Sequence, residues 1–533
     1  MSKFNLIDEK WIPVRFLDGT RDELGISNTL SRAKEIAAIE DNSPLVVASL
    51  HRFLLAVLYR ALQGPADIEQ AKYLFKSGLP DKPIKDYLEK WRPRFWLFDE
   101  KYPFYQIPSF KPKKWREWTA LAVEYNADTA KVLFDHTHES ASGSISMAAA
   151  SRWLLASQVF AVSTGKSEIS HTGTSPSANS IMAIPIGSNL QDTLIFCLVP
   201  QNRIIMTTDI PVWERKPDTM DYLKTKVRVT NKEKGASSKY RTVERTATGI
   251  VDLYTWRTRS VILKELNSGN IEKLGFASGI GYKESIMPDP MLAYTIREVT
   301  DKESSTKLKK RFSLKFEEEG AWKDFDSLLP DSAQLAPQVI DNAITLAKQD
   351  VERFPRGVMV LGQRYFPPRP NIAFWRKEYF VLPRAILSRN DMRFEIHAIL
   401  VEAKNVADKL SDVCKIFAKG MLGHGGRKIE ALDVENFAAQ LPALPGYWSV
   451  LEARFHEILG EYSANRDADD IRCQWLGYVR DALKNAWEQF SASVDGGDAW
   501  AIRALVKAEV PVLTKINELN EEIAKYAKQE VNQ

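Results

Sequence analysis

Thr248-Gly-Ile-Val-Asp-Leu-Tyr-Thr-Trp-Arg-Thr-Arg-Ser-Val-Ile-Leu263 is the stretch to which the rest of the chain reads most easily as an attachment. An apolar run, Ile250 to Trp256, passes into alternation from Thr258 to Leu263, with Arg257 and Arg259 on one side. Alternation of period two marks a half-buried strand, so the spacing predicts one strand here with its front half buried.

Working outward toward the N-terminus, Phe4 to Leu17 with the turn at Asp18-Gly19 predicts a small hairpin. Ser43-Pro44 opens a helix whose Val47, Leu50, Leu54, Val57, Leu58 and Ala61 fall at helical spacing, closed by Gly64-Pro65. Between Ala71 and Trp118 aromatics such as Trp91, Phe95, Trp96, Phe104 and Trp115 alternate with Arg92, Arg94, Lys111, Lys113, Lys114 and Arg116. Such interleaving serves base stacking, but packing of irregular loops on a core is the commoner cause. Ser146 to Phe160 reads as a helix with Ala149, Trp153, Leu154 and Phe160 inward, and Ile181 to Val199 as strands around Gly187-Ser188-Asn189.

Toward the C-terminus, Gln338 to Phe354 reads as a helix and Gly357 to Leu361 as a strand, followed by the proline-clamped turn Gly362 to Asn371. From Pro383 onward helix formers dominate. Ile396, Ile399, Leu400, Ala403, Val406, Ala407, Leu410, Val413, Cys414 and Phe417 hold one stripe, and three further stripes follow, with Pro511 expected to kink the last. The pattern predicts an α+β protein: a large mixed α/β body over residues 1–382 and a C-terminal four-helix bundle over 383–533.

A chain of 533 residues is too long for one ordinary core, so two or three domains are expected. Net charge is only +4, so any nucleic-acid signal must be local. Cys197, Cys414 and Cys473 lie far apart with no CxxC pair, which suits a reducing compartment without disulfides or structural zinc. Leu50 to Leu62 is interrupted by His51, Arg52 and Arg60, so no membrane span is read, and the cytoplasm is the expected location.

Four stretches carry candidate chemistry. Asp135-His136-Thr-His138-Glu139 sets two imidazoles on one face of a strand beside carboxylates, as metal hydrolases do. His51, His171, His397, His424 and His456 stand in no matching motif to complete a ligand set, so no metal and no cofactor is expected. Ser163 to Ser180 is rich in small residues. Its Gly165, Lys166, Ser167, His171, Thr172 and Gly173 offer amides, hydroxyls and one cation to a phosphate, without the P-loop pattern. Trp213 to Arg245 holds ten Lys or Arg against five acids, a local +5, and reads as a long disordered insertion, either a solvated loop or a phosphate contact; Lys307 to Lys315 is a second basic cluster facing solvent. Gly423-His-Gly-Gly-Arg-Lys428, between the first two bundle helices, is a weaker phosphate candidate.

Three motifs, Asn5-Leu-Ile-Asp-Glu-Lys-Trp-Ile-Pro-Val14, the Thr248–Leu263 stretch and Met287-Pro-Asp-Pro290, resemble the large subunit of the type I-E CRISPR surveillance complex, Cascade. The resemblance implies a non-catalytic subunit that recognises the protospacer-adjacent motif of foreign double-stranded DNA, starts strand separation and helps recruit a helicase-nuclease. Its implied partners are guide RNA, the backbone and small subunits, target DNA and that nuclease. It also implies that the 163–180 loop meets nucleic acid and that Lys273 or Lys283, beside Gly275, Gly279 and Gly281, reaches the minor groove. The wedge that the family inserts between DNA strands, typically glutamine, falls here on Arg369, Pro370 or Asn371, a departure from the pattern. The competing reading is a metal-dependent hydrolase using Asp135, His136 and His138.

Overall fold

The computed structural model describes residues 2–122, 124, 143–162, 173–231, 235–300, 307–318, 320–330, 335–366, 372–384, 390–423, 429–463 and 466–530. The chain divides into two compact units, Met1–Phe316 with Pro330–Tyr379, and Glu317–Leu329 with Phe380–Gln533.

The first unit is built on the helix Pro44–Leu62. Ser43 caps it by accepting from the Val46 amide, and Pro44 occupies the first turn, where its missing N–H costs nothing. Every residue from Pro44 to Tyr59 is buried. The helix is long and apolar enough to cross a membrane, yet it is a core helix, mostly buried inside the protein. Ser49 donates to Leu45 O, His51 Nδ1 to Val47 O, and Arg52 meets Asp289 at 2.6 Å. Around Phe53 cluster Trp11, Phe95, Phe104 and Trp213, with ring centroids 5.5–6.4 Å from it. Phe95 and Phe104 are therefore core residues. Gln106 is buried as a bridge, donating to Leu97 O and accepting from the Leu263 amide.

The sheets are small. Ile12–Phe16 pairs with Arg21–Leu24 across the Asp18-Gly19 turn, as the sequence predicts, and with Ile36–Ile39. Arg259–Glu265 pairs with Ile271–Ser278, which also takes Arg116–Glu117. Gly357–Tyr365 lies between Ile372–Val381 and Met182–Ile186. Two ribbons stand as separate two-stranded sheets: Lys224–Asn231 with Gly235–Thr242, and Tyr294–Thr300 with Lys307–Ser313.

Several local expectations are corrected. Ile250–Tyr254 is a short helix, and the strand begins only at Arg259. An apolar run of this length fits a buried helical turn as well as a strand, and Asp209 decides it by accepting from the Val251 and Asp252 amides at the helix start. Leu190–Cys197 is likewise a helix, capped by Asn189 and buried throughout, so it lacks the polar face that betrays helical period. Within the basic stretch 213–245, Lys224–Asn231 and Gly235–Thr242 form an antiparallel ribbon instead of disordered chain. The helix from Gln338 ends at Ala347, and the strand read as Gly357 to Leu361 runs on to Tyr365. In the helix Met147–Phe160, Leu154 and Phe160 are buried, but Ala149 and Trp153 only partly.

In the second unit the long helices are Asn390–Leu422, Ala443–Ser463, Ala468–Ser493 and Ala499–Glu530, with a short extra one at Ala431–Ala438. The last runs through Pro511. Their stripes are the core: Ile396, Ile399, Ala403, Val406, Leu410 and Val413 are nearly inaccessible, as are Leu451, Phe455, Trp475, Val479 and Leu483. The segment Ala321–Leu328 adds Trp322, whose ring lies 5.3 Å from Phe455 and 5.5 Å from Trp448. The architecture is α+β with C-terminal helices, as the periodicity predicts.

Candidate nucleic-acid interface

Arg259, from the Thr248–Leu263 stretch, is fully buried in the body. Its Nη2 donates to Val162 O and its Nη1 to Gly173 O, both at 2.7 Å, and Nη1 also to Thr258 O at 3.1 Å. Residues 162 and 173 are the two ends of segment 163–172, so one guanidinium ties both ends of the small-residue loop. Burial lowers the arginine to about 9, which keeps it charged at neutral pH. A charged donor on a buried carbonyl is worth about 1.5–3 kcal/mol. The same root is reinforced by Gln158, whose Oε1 accepts from the Arg259 amide and whose backbone oxygen accepts from the Ser175 and Thr258 hydroxyls. Ser175 N closes it by donating to Ala161 O.

A second segment leaves from this block. Val162, Ala178 and Ile372 form one apolar cluster, against which Tyr365 and Trp375 pack. Asn179 and Tyr365 exchange two hydrogen bonds, of 3.2 and 3.1 Å, and Gln363 donates to Phe160 O at 2.7 Å. Residue 372 follows the proline turn and Tyr365 shortly precedes it. The supports of the 163–172 loop and of the 367–371 turn are thus shared.

The two candidate lysines differ. A Cβ placed on Gly173 would lie 3.8 Å from the Cα of Gly281, so the loop root touches the start of the strand Gly281–Ser285. On that strand Tyr282 turns inward, edge-on to Trp256 at 5.5 Å, while Lys283 is exposed. Lys273 lies in a different sheet, on the strand Ile271–Ser278 opposite Lys264, with Nζ 3.8 Å from a Glu117 carboxylate oxygen. The glycines between them sit where packing leaves no room for a Cβ. A Cβ on Gly279 would sit 2.3 Å from Arg257 O, and one on Gly275 2.7 Å from the Ile262 side chain.

Met287–Pro290 is also structural. Asp289 accepts from Arg52 and from the Met291 amide, and its own amide donates to Tyr294 Oη at 2.7 Å. Gly165, Lys166, Ser167, His171, Arg369 and Asn371 lie outside the described residues, as do Asp135, His136 and His138 and residues 424–428. Among the described residues no three His, Cys, Asp or Glu side chains gather as a metal site would require. From sequence, Arg259 reads only as a strand residue, and Gln158, Asn179 and Gln363 pass unnoticed. The one available signal is an arginine inside an otherwise apolar strand pattern.

Body and helical unit make a two-unit α+β protein, and the body holds the residues flanking 163–172 and 367–371 on shared supports. Residues 5–486 match the family model for CRISPR-associated protein Cse1. The CRISPR-associated protein CasA/Cse1 of Thermus thermophilus is 31% identical over 534 residues, covering 98% of this chain and 99% of that protein. A solved structure of Thermus thermophilus CasA (Cse1) superposes with TM-score 0.78 at 27% identity over 97% of this chain and 100% of that one. A chain of a solved CRISPR RNA-guided surveillance complex shares the fold at TM-score 0.70 and 17% identity, over 96% and 100% of the two chains. The chain belongs to the Cse1 family, the large subunit of the Cascade surveillance complex.

Proposed function

We propose that this subunit recognises the protospacer-adjacent motif of foreign double-stranded DNA, begins strand separation beside it and helps recruit a helicase-nuclease, cutting nothing itself. The observation that supports this reading is the shared support of the 163–172 loop, the 367–371 turn and the strand bearing Lys283. The described residues that flank these two segments, and the strand bearing Lys283, thereby belong to one block of the body. In this reading Gly165, Lys166, Ser167 and His171 contact the backbone. Lys283, whose strand meets the loop root, enters the minor groove, and Arg369 and Asn371 act at the wedge. Minor-groove readout is degenerate, so several flanking motifs are accepted. Guide RNA then pairs with the target strand in a nearly balanced exchange that backbone contacts tip. Guide RNA, the backbone subunits and the small subunits are its partners in the cytoplasm, the small subunits meeting the helical unit.

The test is duplex binding by the assembled guide-RNA complex. Lys283→Ala is expected to weaken binding to a duplex with the preferred flanking bases by about tenfold or more, with little effect on DNA already opened at the target. Lys273→Ala is expected to change it less than about twofold. The reverse ranking overturns the choice of lysine, and equal loss on opened DNA overturns the groove role.

A further inference from the structure

The body also holds a cavity of about 390 Å³, within the size range of small-molecule pockets. None of the residues lining it belongs to the loop, the turn or the lysine strand used above. Its wall brings together Arg215, Lys216, Arg245 and Arg257 from three separate stretches of the chain. Arg257 is only 4% exposed, and its Nε has no hydrogen-bond partner among the described residues. A buried charged donor without an acceptor has given up its hydration for nothing, so such an atom marks a place where an acceptor belongs.

The acids on the same wall do not balance these cations. Asp252 accepts from Arg245 at 2.7 Å and from the Thr248 amide at 3.0 Å, and it also meets Arg215 at 3.2 Å, so one carboxylate stands between two guanidinium groups. Glu214 is held by Arg60, which does not line the cavity, through bonds of 2.9 and 2.8 Å, and by Tyr87 Oη at 2.7 Å. Asp218 pairs with Arg257. Four cations therefore face two acids, Asp252 and Asp218, and two positive charges are left over. The forks are held in place beforehand: the Arg245 guanidinium lies over the Trp256 ring at 4.1 Å, and Arg215 Nε donates to Ile210 O at 3.2 Å. Burial lowers Arg215 from the ordinary arginine range and brings Arg257 down to about 10. Both stay charged at neutral pH, and a nearby anion restores what burial withholds. The rest of the wall is apolar, with Ile210 and Ile280 beside the exposed ring of Tyr222.

We propose that this cavity binds a small free phosphate monoester of mononucleotide size, its phosphate taken by Arg257, Arg215 and Arg245 and its ring laid against Tyr222 and Ile280. Planar guanidinium forks match the oxygens of a phosphate two at a time. A phosphate monoester carries about −1.5 to −2 at neutral pH, which answers both surplus cations. A single carboxylate, or one phosphodiester of a nucleic-acid strand, would leave one of them unanswered. The site stands apart from the reading under Proposed function and uses none of its residues.

The experiment is calorimetric titration of the full-length chain, at fixed ionic strength, with adenosine monophosphate, adenosine and inorganic phosphate. The monophosphate is expected to bind at one site, about tenfold or more tighter than either adenosine or phosphate alone. Arg257→Gln should weaken the monophosphate and inorganic phosphate alike by about tenfold or more. Tyr222→Ala, at an exposed ring, should weaken the monophosphate about fivefold or more and leave inorganic phosphate within about twofold. Absence of monophosphate binding to the parent chain overturns the proposal, and so does equal affinity for adenosine. Binding that ignores both substitutions places the ligand elsewhere and overturns it too. Thermal unfolding checks each variant, and Arg215→Gln, at a partly exposed side chain, repeats the measurement where Arg257→Gln does not fold.

Discussion

The body and the helical unit bury charge in opposite ways. In the helical unit cationic and acidic side chains meet at the surface or its margin, as Arg472 meets Glu402, and the interior is aliphatic and aromatic. In the body Arg52, Arg257 and Arg259 lie in the interior, with at most 4% exposure. Arg52 there has Asp289 and the ring of Tyr254 at 4.3 Å, while Arg259 has backbone carbonyls. A helix bundle satisfies its backbone within each helix and needs nothing polar inside. A body of short sheets and irregular connections leaves carbonyls that only long, multiply donating side chains can reach.

The largest expected effect tests the interior ion pair. Asp289→Ala leaves Arg52 buried without its carboxylate and should cost about 3–5 kcal/mol. Hydrogen exchange is expected to show this as lost protection in the helix Pro44–Leu62, with Asn390–Leu422 little changed. Uniform loss across both helices would break the contrast between the units. Its counterpart in the bundle is Leu410→Ala, at a side chain with no exposed surface. A cavity there should cost about 2–4 kcal/mol, read as lost protection among the four long helices first.

The smallest effect is the acid limb of the body. Burial depresses His51 to about 4, while the unfolded chain titrates near the ordinary value of about 6.5. Above that pH both states are neutral and the group contributes nothing. Below it the unfolded chain takes a proton that the folded one refuses, so stability is lost as pH falls toward 4, by on the order of 2–3 kcal/mol. Glu124 acts in the opposite direction, since burial raises its carboxyl to about 7. The difference between parent and His51→Gln isolates the histidine. Denaturant unfolding from pH 7 to 4 should show the stability of the variant rising relative to the parent as pH falls below about 6.5, and parallel curves would reject the assignment.

What the sequence disclosed follows from the same contrast. The bundle was legible because Ile396 through Phe417 repeat at helical spacing and every contact that matters is periodic. The Asp18-Gly19 hairpin and the Ser43-Pro44 helix start were legible because turn and cap chemistry is local. Leu190–Cys197 and Ile250–Tyr254 were misread because a segment buried on all sides shows no period, and its caps, Asn189 and Asp209, are single side chains, one of them remote in sequence. For the site, its loops could be named from composition, but their common support could not. Gln158 and Arg259, or Asn179 and Tyr365, meet across long sequence separations through side-chain-to-backbone bonds that leave no pattern.

Trp322 carries a practical lesson about the ancestry of the fold. The chain leaves the body after Phe316, lends thirteen residues to the helical unit and returns at Pro330 before departing again after Tyr379. A polypeptide starting at Phe380 would therefore lack the indole that fills the gap among Trp448, Phe455 and Trp475. The helices are not a removable cassette: exchanging them between relatives requires carrying Glu317–Leu329 along, and natural recombination at a single breakpoint before them would yield a hollow interior.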